Sequence, residues 1–239
     1  MRSKSAAFLL EDTQSVPDSA LNAAEQSLSP LDRERFRSFK SLERKRQFLC
    51  GRLLLNLGLL EKTGLYLSFT TSEDGSPQCS DPSIHCSLSH SGNLVAACFS
   101  FANRIGIDIE LKRDHRFEEI VSNFFHPTEL AVFQNLSDDQ VSDWFYNTWT
   151  RKEAVAKYLA TEITSTLILT EAESLQQCHL SYIQSEEYAL CIAHNVLASP
   201  EFSTLAFAHN TLKSSHFQWI ENSITLYAKN KTAGTLEIA

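Results

Sequence analysis

The stretch RIGIDIELKRD, residues 104–114, places two acids inside a run of branched apolar residues. Because side chains alternate between the two faces of a strand, Asp108 and Glu110 point to one face while Ile107 and Ile109 point to the other. Two carboxylates on a dry face would repel each other and lose their hydration. The pattern therefore predicts a strand whose acidic face either meets water or binds a cation.

The composition is that of an ordinary globular protein, with 239 residues of which 43% are hydrophobic and 21% are charged. The sequence contains neither a signal-peptide core nor a run of ~18 apolar residues, so we expect a cytoplasmic protein with no membrane partner. The six cysteines are scattered without a CxxC pair, which favours reduced thiols over a disulfide framework.

The charge is unevenly distributed along the chain. The formal net charge is −8, yet residues 33–52 carry eight basic residues and two acids. Nucleic-acid binding grows with the number of phosphates neutralised across a surface, so we expect no nucleic-acid partner for this acidic chain. A compact polyanion such as a nucleotide suits one local basic segment better. The seven glycines form no glycine-rich phosphate loop.

The hydrophobic spacing and turn residues predict helices followed by strands, twice over. In the first half we expect helices over 17–61, with a new helix start near Ser29. A strand at 65–71, a loop at 73–83 and two strands within 85–100, joined by a Ser-Gly-Asn turn, should follow. In the second half we expect strand 104–111, helices at 126–136 and from Asp138 or Asp139 to 160, and strands at 166–172, 178–184, 187–194, 203–209 and 223–228. This order predicts an α+β fold with two subdomains, residues 1–103 and 104–239.

The long helix of the second half contains Trp149, Glu153 and Lys157 at spacings of four residues, so the three side chains lie along one line of its surface. An exposed helix salt bridge between Glu153 and Lys157 is the ordinary interpretation of such a pair. The aromatic residues around the pair favour a packed helix instead, and Glu153 then becomes a third acid beside Asp108 and Glu110. Three carboxylates at one point require a cation, and oxygen ligands with room for phosphate suit Mg²⁺.

The segment SLSHSGN, residues 87–93, alternates serines with Leu88 and His90 just before a turn. Its hydroxyls, imidazole and turn amides can converge on an anion. A serine-rich hairpin turn explains the same letters without any ligand.

Three segments in order, SLSHSG, GIDIE and WTRKEAVAK, together resemble the motifs of the Sfp-type 4′-phosphopantetheinyl transferases. Weaker similarity covers LSPLDRERFRSF, EDGSPQC and FFHPTEL. The resemblance implies a pseudo-twofold pair of similar α+β subdomains with coenzyme A in the cleft between them. It also implies transfer of phosphopantetheine from coenzyme A to a serine of an acyl or peptidyl carrier protein, with release of adenosine 3′,5′-bisphosphate, as in a holo-[acyl-carrier-protein] synthase.

The resemblance also assigns roles to individual residues. Asp108, Glu110 and Glu153 would bind Mg²⁺, and Glu153 and Lys157 would be the catalytic pair, with Lys157 also contacting a phosphate. The remaining residues that the resemblance places on coenzyme A are Arg35, Arg46, Ser89 and His90, with Arg33, Arg37 and Arg52 as further candidates. We expect a monomer, since one chain would contain both halves of the cleft.

Two segments depart from the family pattern. The turn that usually reads Gly-Lys-Pro is Gly75-Ser76-Pro77, so a lysine often used on the nucleotide is missing, and YLATEITSTL replaces the usual Gly-x-Gly-Leu after Lys157. A non-catalytic relative that binds nucleotide or carrier is therefore an alternative. A metal-dependent nuclease is another, although its usual lysine lies two residues after an acid on a strand.

Overall fold

The computed structural model describes residues 5–64, 66–101, 103–113, 117–195, 200–208, 211–214 and 218–220. The chain is a mixed α+β protein that divides into two units. The first unit lies within Met1–Ala102 and Pro200–Ala239, and the second is Asn103–Ser199. This division differs from the predicted subdomain 104–239, because a strand that begins at Glu201 pairs with the strand at the start of the chain.

The first unit contains a six-stranded sheet covered by helices. Its elements are β1 Ser5–Leu10, a 3-10 turn Thr13–Ser15, α1 Asp18–Ser27, α2 Pro30–Ser38, α3 Leu42–Thr63, β2 Phe69–Thr71, β3 Pro77–Cys79, β4 His85–Ser91, β5 Leu94–Ser100, β9 Glu201–Ala208, β10 Thr211–Ser214 and β11 Gln218–Ile220. The strand order of the sheet is β11-β10-β9-β1-β5-β4, with β1 antiparallel to β5 and parallel to β9. Strands β2 and β3 form a separate antiparallel pair.

Helix α3 packs against β1 and β5 of this sheet, and α1 packs against α3, around a core that contains Phe8, Phe99 and Leu55. The predicted helix start near Ser29 is confirmed, since Ser29 is the N-cap of α2, its hydroxyl accepts a hydrogen bond from Asp32 N, and Pro30 follows it. Strand β1 is absent from the predicted elements. Its six residues are all buried, so the sequence shows an uninterrupted apolar run without the alternation that marks a half-buried strand.

The second unit contains a three-stranded antiparallel sheet and a long helix. Its elements are β6 Ile105–Leu111, α4 Phe117–Phe124, α5 Pro127–Phe133, α6 Asp138–Leu159, α7 Thr164–Leu167, α8 Glu171–Gln177, β7 His179–Gln184 and β8 Tyr188–His194. The strand order is β6-β8-β7, and Asp108 pairs with Cys191 in the ladder between β6 and β8. Helix α6 packs against β6 and β8.

The predicted strand at 166–172 is wrong, because this segment contains the end of α7 and the start of α8. Thr170 begins α8 with a capping box that it shares with Glu173. The carbonyl groups of Leu167 and Leu169 accept hydrogen bonds from the Lys152 ammonium. In the predicted strand, the backbone of a neighbouring strand would have donated these hydrogen bonds. The strand predicted at 223–228 lies outside the described residues.

None of the helices in the described part of the chain is both long enough and apolar enough to cross a membrane.

Candidate functional site

Strand β6 and helix α6 touch backbone to backbone at Gly106. A Cβ atom on Gly106 would lie 2.1 Å from Ala154 O and 2.6 Å from Tyr158 N, so only glycine fits this crossing. Because alternate residues of a strand share a face, Asp108 lies on the same side of β6 as Gly106 and is directed towards α6. The close crossing therefore brings the first acid of GIDIE to the helix that contains Glu153 and Lys157.

Lys157 forms an ion pair with Asp108. The Lys157 Nζ lies 2.7 Å from Asp108 Oδ1 and donates a second hydrogen bond of 3.1 Å to Ile107 O. The Asp108 side chain is 4% exposed, whereas the Lys157 side chain is 30% exposed. The ammonium is therefore bonded to the strand rather than to Glu153, its neighbour on the helix, and the pair is not the exposed helix salt bridge that is the ordinary interpretation of this spacing.

Glu153 lies within range of both of these charges. Burial raises the pKa of the Glu153 carboxyl above 4.5, repulsion by Asp108 raises it further, and Lys157 opposes the shift. The two carboxylates that were predicted to meet, one from a strand and one from a distant helix, therefore do interact electrostatically. Their mutual repulsion is the kind of strain that a bound cation relieves.

Glu110 lies two residues further along β6 and is partly exposed. Across the residues that the structure describes, no three His, Cys, Asp or Glu side chains are arranged so that they could hold a metal ion together. Asp108 thus acts on Glu153 electrostatically, while the complete three-carboxylate ligand set stays a prediction. One or two carboxylates satisfy the protein's usual share of a Mg²⁺ site, since water and phosphate oxygens supply the rest, so these donors fit the ion.

The opposite side of α6 is fixed by a buried charge cluster that the sequence analysis did not predict. Lys152 is fully buried, and its Nζ lies 2.7 Å from Glu129 Oε2, 2.7 Å from Leu167 O and 2.6 Å from Leu169 O. Arg151 also pairs with Glu129. Burial lowers the pKa of Lys152 to about 8, although Glu129 opposes the shift. The cluster holds α5 and the segment after α7 against α6.

Ser89 and His90 lie on β4 in the first unit, next to the hairpin turn at Gly92. Ser89 is buried and His90 is partly exposed, and Gly92 has the left-handed φ of 55° that a tight turn requires. Gln47 Nε2 donates a 2.9 Å hydrogen bond to Gly92 O, so α3 holds the turn in place. The predicted hairpin is confirmed, and the coenzyme A contacts of its residues stay predictions.

Several arginines of the basic segment already bind protein groups. Arg46 donates from Nε to Thr13 O at 2.7 Å and from Nη2 to Gln14 O and Val16 O. Arg33 donates to two backbone carbonyls, and Arg52 forms a buried pair of 2.6 Å with Asp32. The guanidinium groups of Arg33, Arg46 and Arg52 therefore bond to protein groups of the first unit.

Arg35 lies against the turn in which serine replaces the family's lysine. Its Nη2 would be 3.1 Å from a Cβ atom on Gly75, and Gly75 has a left-handed φ of 89°. Arg35 also repels Arg44, whose pKa is lowered by burial and by this second guanidinium. Neither arginine forms an ion pair with a described carboxylate, and the Arg44 guanidinium lies over the Phe39 ring and within electrostatic range of Arg35. The spacing of residues in the sequence did not predict that Arg44 would lie within electrostatic range of Arg35.

Comparison with known proteins shows the family to which the chain belongs. The family model described as the 4′-phosphopantetheinyl transferase superfamily matches residues 104–215, which include β6 and α6. A protein named 4′-phosphopantetheinyl transferase from Bacillus subtilis is 30% identical over 202 residues, covering 74% of this chain and 89% of the relative. The chain therefore belongs to the 4′-phosphopantetheinyl transferase superfamily.

Two further relatives show how varied the similar proteins are. The 4′-phosphopantetheinyl transferase Sfp from Bacillus subtilis strain 168 is 34% identical over 134 residues, which cover 54% of this chain and 59% of the relative. The 4′-phosphopantetheinyl transferase AcpT from Salmonella typhimurium is 28% identical over 169 residues, which cover 67% of this chain and 83% of the relative. The chain is thus similar both to a protein named Sfp and to one named AcpT.

Proposed function

We propose that this protein transfers the 4′-phosphopantetheine group from coenzyme A to a serine of an acyl or peptidyl carrier protein and releases adenosine 3′,5′-bisphosphate. Membership of the transferase superfamily supports the reaction class. The observation that carries the proposal for this chain is the ion pair between Lys157 of α6 and Asp108 of β6, with Glu153 within electrostatic range of both.

In the proposed reaction the serine Oγ attacks the phosphorus that bears the pantetheine arm. A new P–O bond forms to the serine, the P–O bond to the adenosine-side phosphate breaks, and the serine proton leaves with a base. The reaction needs the negative charge of the diphosphate to be neutralised and the attacking oxygen to be held in line. Lys157 carries the positive charge for the first task on a side chain that is partly open to solvent.

Asp108, Glu110 and Glu153 are the residues proposed to bind Mg²⁺. When bound, the ion would neutralise charge on the diphosphate and orient it. Asp108 fits this role because its carboxylate is almost fully buried and is held by the ladder to β8. Glu153 fits because its ionised form is disfavoured by Asp108, so a cation gains more from both acids together than from either one.

For the nucleotide end we propose Arg35, Ser89 and His90, with Arg44 added beside Arg35. A guanidinium fork suits a phosphate group, and Arg35 lies where the turn has lost its lysine, so it can take over that charge. Contact between Arg46 and coenzyme A stays a prediction, and the three backbone carbonyls that Arg46 already binds argue against it. The pseudo-twofold relation of the subdomains, the monomeric state and the cytoplasmic location also stay predictions.

The decisive experiment incubates the protein with coenzyme A, Mg²⁺ and a panel of apo carriers from fatty-acid, polyketide and nonribosomal-peptide synthesis. The expected result is a mass gain of one phosphopantetheine arm on at least one carrier, with stoichiometric adenosine 3′,5′-bisphosphate. A carrier whose target serine is changed to alanine should gain no mass, and a chelator should stop the reaction. Binding of coenzyme A without any mass gain across the panel would instead favour the non-catalytic alternative.

A further inference from the structure

The Lys157 ammonium is the cation that pairs with the Asp108 carboxylate. It lies 2.7 Å from Asp108 Oδ1 and 3.1 Å from Ile107 O, both within the range of a full hydrogen bond. A carboxylate that is only 4% exposed needs a positive partner, since an uncompensated buried charge is strongly unfavourable. Lys157 supplies that charge.

The two partners differ in their freedom to move. Asp108 lies within the β6 ladder, and the Gly106 crossing presses its strand against α6. Lys157 has a flexible four-carbon stem, and its side chain is 30% exposed. The carboxylate is therefore fixed, while the ammonium has solvent to move into. An exchange of cations at Asp108 would consequently displace the lysine and leave the strand in place.

Repulsion supplies the reason for the exchange. A divalent ion bound to Asp108 and Glu153 would lie within a few ångströms of an ammonium bonded to the same carboxylate, and the two positive charges would repel each other. A diphosphate oxygen nearby would attract the released ammonium instead. Asp108 is thus suited to pair with one cation at a time.

We propose that Lys157 is a placeholder cation, which neutralises Asp108 in the metal-free protein and leaves Asp108 when a divalent ion binds. This inference rests on the proposed function, because it takes the metal site from it. It adds that metal binding and release of the lysine are coupled, so free Mg²⁺ competes with Lys157 for Asp108. The metal binds most readily together with the diphosphate, because the diphosphate binds the displaced ammonium.

The test measures metal binding to the full chain without coenzyme A or carrier. Calorimetric titration with Mg²⁺ and Mn²⁺ should show that Lys157→Met binds the ion at least about tenfold more tightly than the unchanged protein, because no ion pair has to be broken. Lys112→Met is the matched control, since Lys112 forms a 2.6 Å pair with Asp143 in the same unit. Its metal affinity should equal that of the unchanged protein.

A second readout separates displacement from a simple change in charge. The side-chain ¹⁵N resonance of Lys157, assigned by its loss in Lys157→Met, should shift towards that of a solvated lysine when Mg²⁺ is added to the unchanged protein. The inference stands only if this shift is seen, together with tighter binding by Lys157→Met when that variant is folded. A Lys157 signal that is unmoved at saturating Mg²⁺, or equal affinities in the two proteins, overturns it.

Failure of this inference can be told from failure of the proposed function. Carrier modification with no movement of Lys157 would remove the placeholder role and leave the transferase proposal intact. Movement of Lys157 on Mg²⁺ binding, with no carrier modified, would keep the metal exchange and remove the proposed activity.

Discussion

Gly106 and Ala154 touch so closely that a methyl group at position 106 would lie 2.1 Å from the Ala154 carbonyl oxygen. The neighbouring atom belongs to the backbone of α6, so it cannot rotate away as a side chain would. This contact sets the distance between the strand that contains Asp108 and the helix that contains Lys157.

Gly106→Ala should therefore destabilise the protein by at least ~3 kcal/mol, the upper end of the usual cost of overpacking. Urea denaturation followed by circular dichroism measures the free energy of unfolding. Gly51→Ala is the control, since its Cβ would meet only side-chain atoms, those of Leu88 from 3.3 Å and of Val95 at 3.9 Å. Equal stabilities of the two variants would contradict the proposed role of the Gly106 crossing.

Lys157→Ala should lower the turnover of carrier modification by about 10²–10³, the usual effect of removing one preorganised charge from a transition state. The carrier mass assay at saturating coenzyme A gives the rate, and Lys157→Arg should recover part of it because the charge returns. Lys112→Ala serves as the control for loss of a lysine from the same unit. A near-normal rate for Lys157→Ala would show that the lysine has no catalytic role.

Glu153 should give the protein a pH-dependent stability of definite sign. Its pKa is raised in the folded state above the 4.5 of the unfolded chain, so the folded state holds more protons between the two values. The contribution of Glu153 to the free energy of unfolding therefore falls as the pH rises through this interval. Glu153→Gln should lack this fall when urea denaturation is compared between about pH 4 and about pH 7.

The control for that comparison is Glu118→Gln, since Glu118 is an exposed residue of α4. Its stability should stay parallel to that of the unchanged protein across the same pH range. If the free energy of unfolding of the unchanged protein, measured relative to that of Glu153→Gln, stays constant or rises with pH, the carboxyl is not held in a repulsive site.

Replacing Arg35 should weaken coenzyme A binding, whereas replacing Arg46 should lower the stability of the fold. Arg35→Ala should raise the KM for coenzyme A by about 10–100-fold, as expected for one lost charge-assisted hydrogen bond, and should leave stability unchanged. Arg46→Ala should cost about 1–3 kcal/mol of stability, because three carbonyl groups lose their donor. Thermal denaturation and steady-state kinetics on both variants give the comparison, and an exchange of the two phenotypes would reverse these roles.

Lys152→Met should reduce the free energy of unfolding by about 3–5 kcal/mol, the cost of breaking a buried ion pair from one side. Leu167 O and Leu169 O lose their donor, although Glu129 keeps Arg151. Lys40→Met, at an exposed position, should change stability by less than about 0.5 kcal/mol. Similar values for the two variants in urea denaturation would show that the buried cluster does not hold α6 in place.

The local pattern was sufficient for elements whose signals lie within a few residues. Ser29 and Pro30 mark a helix start, Ser91 to Asn93 mark a hairpin, and the alternation of acids with isoleucines marks β6. The pattern failed at β1, where burial of both faces removes the alternation, and at residues 166–172, where Lys152 rather than a neighbouring strand binds the carbonyls. In each case the missing information is a partner distant in sequence.

The amino-acid order by itself determined which residues are candidates for the chemistry, because charge, donor type and spacing on a strand or helix are properties of the letters. It placed Asp108 and Glu110 on one face and Glu153 and Lys157 on one line. Only the tertiary structure decided that Lys157 bonds to Asp108 across 49 positions of the chain, and that Arg46 serves the backbone while Arg35 lies at Gly75. The physical reason is that the long, flexible side chains of lysine and arginine can bond to any of several acceptors, and the packing of the fold alone decides which acceptor lies within reach.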